Sequence, residues 1–590
     1  MQLDSKNKAF NLALDLVQYT DRNLFLTGKA GTGKTTFLKA LHNYTDKNIA
    51  VVAPTGVAAV NARGVTIHSF FRLGIELYPP TDRRIKTAAA IRRNFTYKDA
   101  RKKVFEELEL LVIDEVSMVR CEMLDLIDRI LKVYGGGNSA APFGGKQVVF
   151  IGDPFQLPPV VKKEAREILR PHYPTFFFFS AYAFQDAQPV CIELQRIYRQ
   201  NDPKFIDLLN KVRVNRMQNG ALELLNCRVA AHPFTPGENN KIYLGTHYSQ
   251  VNGVNDRELR KIDRPIYTFA AEVTGEFKAR EMPTEQNLQL KVGAQVMFLV
   301  NDNQERRYFN GKIGRVTELG NSSVKVNVDG VGTVEVEQYQ WKKIRYEWSE
   351  KHQKVEAVTV GTFTQYPLKL AWAITVHKSQ GLTFEQVYAN LGKSFASGQA
   401  YVGLSRCTSL QGIELASPIP PRAIKVDPSV VDFAQHFQEQ DLSALEQEIR
   451  ELKGNALLQK ATQHLQSGEQ FSRAMKVLQE ALEAMPNIDL TDFILTSLQQ
   501  LVKQQIQIDE LNDTNHLQQE QNTRLQEKLQ QLKLTTESQQ ASIQKLQQSI
   551  AQVDGELSTN RQQCEEEKAE LEQKITALEG RKWWQVLFGK

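Results

Sequence analysis

The sequence predicts an α/β chain of two parallel-sheet domains, with a small β-barrel inserted in the second and a helical, coiled-coil tail. Three observations predict it. Short apolar runs that end in glycine, carboxylate or amide residues recur through the first third of the chain, as buried parallel strands feeding polar loops do. Residues 290–362 instead alternate apolar and polar positions between Gly and Asn breaks. From Ile508 to Leu578 one heptad register runs unbroken.

The chain is organised around Gly28-Lys29-Ala30-Gly31-Thr32-Gly33-Lys34-Thr35, which satisfies G-x-x-x-x-G-K-[ST]. Its glycines let backbone N–H groups turn towards phosphate oxygens, Lys34 reaches the β- and γ-phosphates, and the Thr35 hydroxyl can ligate Mg²⁺. Asn23–Leu26 reads as the strand before it and Thr36–Leu41 as the helix after it, so a helix N-terminus faces the triphosphate. The loop binds ATP or a close relative. Upstream, Asp4–Tyr19 reads as a capped amphipathic helix, and Asn7 on its first turn reads from the residues alone as a surface asparagine.

Ile49–Ala53 is a second buried strand leading into Pro54-Thr55-Gly56, a substrate-facing loop, and His68-Ser69-Phe70 follows Gly64 as core or contact surface. A basic insertion at about 74–105, with Phe95 and Tyr97 interleaved, suits either a solvated helix or a nucleic-acid strand. Leu110–Ile113 delivers Asp114 and Glu115 to the mouth of the sheet, Asp114 for Mg²⁺ and Glu115 to orient or deprotonate the attacking water. Val148–Ile151 leads to Gly152-Asp153-Pro154-Phe155-Gln156, where Gln156 is placed to sense the γ-phosphate. Two such signatures make a RecA-like core, and Phe176–Phe179 reads as a further core strand.

The second half opens at Leu194–Gln200 and closes with Leu370–Thr383 and Tyr401–Arg406. In this order the motifs resemble those of superfamily one, class B helicases. Met123–Arg129 followed by Pro142–Gln147 resembles the signature of the PIF (petite integration frequency) helicases within that class, related to the RecD branch. The likeness runs from about Asn7 to Glu414. It departs at Asn7, which stands where the resemblance implies a glutamine that reads the adenine edge and is either such a reader or a surface residue, and at Gly135-Gly136-Gly137-Asn138, expected as a flexible loop.

The resemblance implies ATP, with Mg²⁺, held between two RecA-like domains. Catalysis would fall to Lys34, Asp114, Glu115, Gln156, Arg199 and Arg406, both arginines facing the γ-phosphate, with Gln380 and Gly381 beside it. Thr36 joins the phosphate-loop residues. Single-stranded DNA would lie on Pro54, Thr55, Gly56, His68, Ser69, Phe70, Thr375, His377, Lys378 and Ser379, with Phe70 or Phe155 available to stack bases. The implied activity is ATP-driven translocation and unwinding, 5′ to 3′, in replication, repair or recombination, on single strands and junctions. An RNA or hybrid unwinder is the first alternative. A scaffold with a vestigial motor is the second, which the intact catalytic set opposes.

Domain limits are expected at 1–185 and 186–430, the inserted barrel resembling the family's Src-homology-three-like module, then a helical linker at 431–505 with one tetratricopeptide-like hairpin. A coiled coil follows at 506–580, its polar seam fitting a homo-oligomer or a protein partner, then an aromatic, basic end at 581–590. A formal charge of +5 tolerates nucleic acid without requiring it. Five scattered cysteines exclude a disulfide framework and a zinc motif. With no leader-like or membrane-spanning run, the expected setting is intracellular, cytoplasmic and nucleoid-associated.

Overall fold

The computed structural model describes most of residues 7–507 with short breaks, and beyond them only scattered positions and the stretch 558–574. It separates into two compact units, residues 1–456 with 483–486, and residues 457–482 with 487–590.

In the first unit, six strands make one parallel sheet: β1 (Leu24–Gly28), β2 (Ile49–Ala53), β3 (Val65–Thr66), β4 (Leu110–Ile113), β5 (Gln147–Ile151) and β6 (Val190–Leu194), in the order β3-β2-β4-β5-β1-β6. Helices cover both faces, so β1, β4 and β5 are buried throughout, which is why they read as unbroken apolar runs. The sheet takes in β6, past the limit expected at residue 185. Phe176–Phe179 is core but not a strand. It forms a bend and the short turn Phe178–Ser180, because its rings pack on Phe25, Phe184 and Phe433 instead of feeding a ladder.

The basic insertion forms helices Ala88–Asn94 and Asp99–Glu107. Its aromatics point inward. Phe95 packs on Tyr78, and Tyr97 donates its hydroxyl to Phe71 O at 2.8 Å, so neither is a platform for a base. The glycine stretch starts where Gly135 closes the helix Cys121–Tyr134 and runs through bends, and Phe143 N–H donates to Asp128 Oδ1 at 2.6 Å just beyond.

The second sheet holds β7 (Ile242–Gly245). Before the sheet resumes, an insertion contributes β8 (Tyr267–Ala270), β9 (Glu272–Gly275), β10 (Asn287–Leu290), β11 (Gln295–Phe298), β12 (Ile313–Leu319), β13 (Val324–Val328), β14 (Gly332–Val336), β15 (Tyr339–Ser349), β16 (Lys354–Gln365) and β17 (Leu368–Leu370). Then β18 (Ala373–Thr375), β19 (Val387–Asn390) and β20 (Ile413–Leu415) complete a parallel sheet in the order β18-β7-β19-β20.

Among the described residues no sheet closes on itself, so the barrel expected at 290–362 is not confirmed. Strands β14-β13-β12-β11-β17 form an open antiparallel sheet with its own apolar core. The chain then leaves it. Strands β15 and β16 pair as a long hairpin flanked by β9, and the hairpin's buried residues are satisfied by the first domain. Val51 N–H donates to the Tyr346 hydroxyl at 3.0 Å, Val355 N–H to Asn48 Oδ1 at 2.9 Å, and the Tyr346 ring meets Phe70 edge-on.

Past the prolines at 418–421 the chain returns to the first domain. Phe433 stacks on Phe179 with centroids 4.2 Å apart, and Leu445 and Ile449 join the core beneath the N-terminal helix Lys8–Tyr19. In the second unit Ala461, Ala474, Leu478 and Phe493 gather into a small cluster, consistent with one helical hairpin. Most of the coiled-coil seam and the whole 581–590 end lie outside the described residues. Where described, 558–574 is helical, with Cys564 and Leu571 exposed. Among the described residues no helix is long and apolar enough to cross a membrane.

Candidate nucleotide cleft and strand-binding surface

The phosphate loop runs from the end of β1 into the helix Lys34–Tyr44. Gly31 has φ +83°, and a Cβ there would lie 2.5 Å from Arg199 Cβ, so only glycine lets the second-half motif approach this closely. Lys34 Nζ donates to Gly28 O at 2.5 Å and Lys29 O at 3.0 Å. Burial pushes its pKa down, while Asp153 and Glu115 favour the charged form.

Asp114 and Glu115 stand at the end of β4. Burial, then the neighbouring Glu115 charge, lifts Asp114 to about 7. Burial also raises Glu115, with Lys34 and Arg406 pulling the other way. Two carboxylates sharing a dry site call for a cation. Glu115 holds φ +50°, an uncommon conformation for a residue with a side chain, at the position assigned to the attacking water. Among the described residues no group of three or more His, Cys, Asp or Glu side chains gathers into a metal cage. One carboxylate at Asp114 and an exposed hydroxyl at Thr35 fit Mg²⁺, which takes few protein ligands and completes its shell with phosphate and water.

The second half reaches this site directly. Gln380 Nε2 donates to Glu115 Oε2 at 2.9 Å, and Gly381 next to it, at φ +80°, faces Asn61 of the first domain. Arg406 is buried, its guanidinium held by Val402 O at 2.9 Å and Ser405 Oγ at 3.1 Å. Burial lowers its pKa, and Glu115 opposes that fall. Arg199 donates to Ser405 O at 3.3 Å; burial, then the Arg406 charge, brings its pKa down to about 9. Lys34, Asp114, Glu115, Gln156, Arg199, Arg406 and Gln380 therefore share one cleft.

Four residues there, Asp153, Arg213, Tyr401 and Tyr198, were not anticipated as site residues. Asp153, fully buried, accepts from Arg213 Nη2 at 3.0 Å and Nε at 3.3 Å, and the Arg213 guanidinium lies 4.1 Å over the Phe155 ring. The Tyr401 hydroxyl accepts from Ala30 N–H at 3.0 Å and donates to Asp153 Oδ2 at 3.3 Å, pinning the phosphate loop to the second half. Tyr198 bonds Gly31 O through its N–H at 2.8 Å and lays its ring beside Gly33 while remaining 49% exposed. Asp153 and Tyr401 lie inside motifs visible in the sequence and Tyr198 is an aromatic next to Arg199, whereas Arg213 carries no local signal. Asn7 is buried rather than at the surface: it caps its helix by accepting Phe10 N–H, and its amide donates to the Tyr198 hydroxyl at 3.2 Å.

The expected strand-binding residues divide. Ser69 and Lys378 are exposed, and Pro54, Thr55, Gly56, His68 and His377 are half-buried. Thr55 also caps the helix Gly56–Asn61, accepting from Ala58 N–H. Four are withdrawn. Phe70 is fully buried among Phe71, Phe105 and Tyr346, and Phe155 lies under Arg213, so neither ring is open to a base. Ser379 is fully buried and donates to Val376 O, and Thr375 is buried and accepts from Lys378 N–H; these hydroxyls shape their loop instead of facing a phosphate.

The sequence profile described as PIF1-like helicase matches residues 2–224, and that of the DNA helicase Pif1 2B domain matches residues 276–319. The human ATP-dependent DNA helicase PIF1 is 33% identical over 421 residues, which cover 70% of this chain; the chain spans 61% of the human protein's length. A crystal structure of Bacteroides sp Pif1 in complex with ADP-AlF4 is 38% identical, with a TM-score of 0.67, covering 73% of this chain and 96% of that one. Bacteroides Pif1 bound to ssDNA is likewise 38% identical, with a TM-score of 0.52, covering 74% and 97%. With the cleft's motifs in this order and this likeness across nearly the whole Bacteroides protein, the chain belongs to the PIF1-like helicase family.

Proposed function

We propose that this chain is an ATP-dependent DNA helicase that translocates on single-stranded DNA, 5′ to 3′, in replication, repair or recombination. The observation that carries the reading is the bond from Gln380 to Glu115, which joins the strand-binding segment of one sheet to the hydrolytic carboxylate of the other. The relatives crystallised with ADP-AlF4 and with ssDNA support it.

In this reading Gly28–Thr36 cradle the triphosphate, Lys34 neutralises its outer phosphates, and Tyr198, tethered by Asn7, flanks the nucleotide. Mg²⁺ held by Thr35 and Asp114 would offset phosphate charge. Glu115 orients the water and accepts its proton, helped by a pKa already raised by burial. Arg199 and Arg406 stabilise charge on the transferring phosphoryl group, and Gln156 reports its loss. Both arginines lean on Ser405 at the end of the helix Gln399–Leu404, and Gly403 of that helix packs against Val376, so a change at the γ-phosphate reaches the loop that carries Lys378. Phosphate contacts through Thr55, Ser69, His377 and Lys378 grip a strand without reading its sequence. Junctions are substrates in the same reading, the coiled coil recruits a second copy or a protein partner, and the setting is the cytoplasm, on the nucleoid.

The test is ATP turnover by the full-length protein with and without a DNA oligonucleotide, beside Glu115→Gln. The expected result is strong stimulation that the substitution abolishes. Turnover indifferent to DNA, or stimulated only by RNA of matched sequence, would overturn the DNA reading.

A further inference from the structure

With Phe70 and Phe155 buried, a large exposed ring among the described residues still lies beside the proposed phosphate contacts. Phe395 is 54% exposed, and two other rings flank it: His247, 5.0 Å between centroids, and His377, 6.3 Å away and only 24° from parallel. His377 precedes Lys378 in the segment that opens with β18, while His247 follows β7, so two neighbouring strands deliver the flanking rings to the same edge. Lys378, Lys393 and Lys425 are exposed around this trio, and Lys425 Nζ donates to Phe395 O at 3.3 Å.

The ring is held in place. Gln399, fully buried, accepts from Phe395 N–H at 3.0 Å and Ala396 N–H at 3.4 Å, and its amide donates to Thr246 O at 3.1 Å. Gly398 anchors the far end of the turn: its φ is +70°, and a Cβ there would fall 2.4 Å from both Phe155 O and Gln156 O. The turn that presents Phe395 thus rests, backbone on backbone, upon the γ-phosphate sensor. An apolar ring left in water costs free energy unless something covers it, and lysines beside it favour an anionic partner with flat apolar faces.

We propose that Phe395 is a base-stacking platform for the bound single strand, with His377 and His247 extending the stack and Lys378, Lys393 and Lys425 serving its phosphates. The assignment rests on the helicase reading and adds to it the residue that meets a base. Because its turn sits on the Gln156 loop, the platform shifts with nucleotide state, and a stacked base moves with it.

The test compares full-length protein, Phe395→Leu and Phe395→Trp for affinity towards oligo(dT) and an abasic strand of equal length at one salt concentration. Stacking predicts that Leu, which keeps apolar bulk but no π-face, weakens oligo(dT) binding roughly ten-fold, leaves abasic binding within about two-fold, and that Trp restores oligo(dT) affinity. Equal losses on both strands, or no loss on either, would overturn the platform while leaving the helicase reading intact. Failure of the unaltered protein to bind either strand would remove both.

Discussion

The buried pair Asp153–Arg213 ties the end of the first sheet to the helix Pro203–Arg213, and the cost of its loss can be estimated. Asp153 follows β5 of the first sheet; Arg213 ends the helix Pro203–Arg213, whose Phe205, Leu208 and Val212 lie in the second core. The carboxylate is wholly buried and the guanidinium nearly so, with N···O separations of 3.0 and 3.3 Å and Phe155 4.1 Å beneath. Arg213→Met keeps the apolar stem but leaves Asp153 as an unpaired buried charge, which costs about 3–5 kcal/mol. Asp153→Asn with Arg213→Met removes that charge and returns about half of the loss. The assay is urea unfolding followed by tryptophan fluorescence, where the single variant shifts the transition by about 1 M or more and the double variant by less. If Arg213→Met cost less than about 1 kcal/mol, or if the two substitutions simply added, the pair would not be the fastening described.

Other consequences are more local. Tyr198→Ala removes the exposed ring beside Gly33 and should raise KM for ATP several-fold with kcat little changed, read by steady-state turnover. Phe70→Ala should destabilise the first domain by about 3–5 kcal/mol through the cavity it leaves, while affinity for single-stranded DNA, measured well below the unfolding temperature, stays the same. Glu122 is fully buried, and burial raises its pKa despite the ion pair with Arg120. An acid whose folded pKa lies above its unfolded value binds its proton more tightly when folded, so stability falls as pH rises from the unfolded value to the folded one. Glu122→Gln should therefore gain stability over the wild type as pH rises from about 4.5, and thermal melts across pH 4.5–8 check the sign.

The nucleotide cleft was legible because its chemistry is local. A phosphate loop, a strand ending in Asp114-Glu115 and a strand ending near Gln156 each carry a role within a few residues. What failed depended on distant packing. Phe70 and Tyr97 read as candidate strand contacts until the hairpin from β15 and β16 and the helix Asp99–Glu107 cover them. The insertion's alternation predicts strands correctly, but alternation does not reveal which edge a strand pairs with, and β15 leaves the sheet for β16. Arg213 had no local signal at all. Its meaning comes from Asp153, sixty residues earlier and just past the end of β5.

The kinds of contact across the cleft bear on how it works. Gln380 meets Glu115, Tyr401 meets Ala30 and Asp153, and Arg213 meets Asp153, each through polar atoms. The large apolar clusters instead fall mainly to one side or the other, with Ala30 and Leu157 as the first domain's small share in the second core. An apolar seam would resist opening in proportion to its area, whatever the nucleotide. A polar seam is different, because phosphate can compete for the same donors and charges. Arg199, Arg406 and Lys34 are all drawn below their usual pKa by burial, so each is held in a setting where an added phosphate charge stabilises it strongly. In the proposed helicase, a cleft built this way closes on a triphosphate and loosens when the γ-phosphate leaves, as stepping along a strand requires.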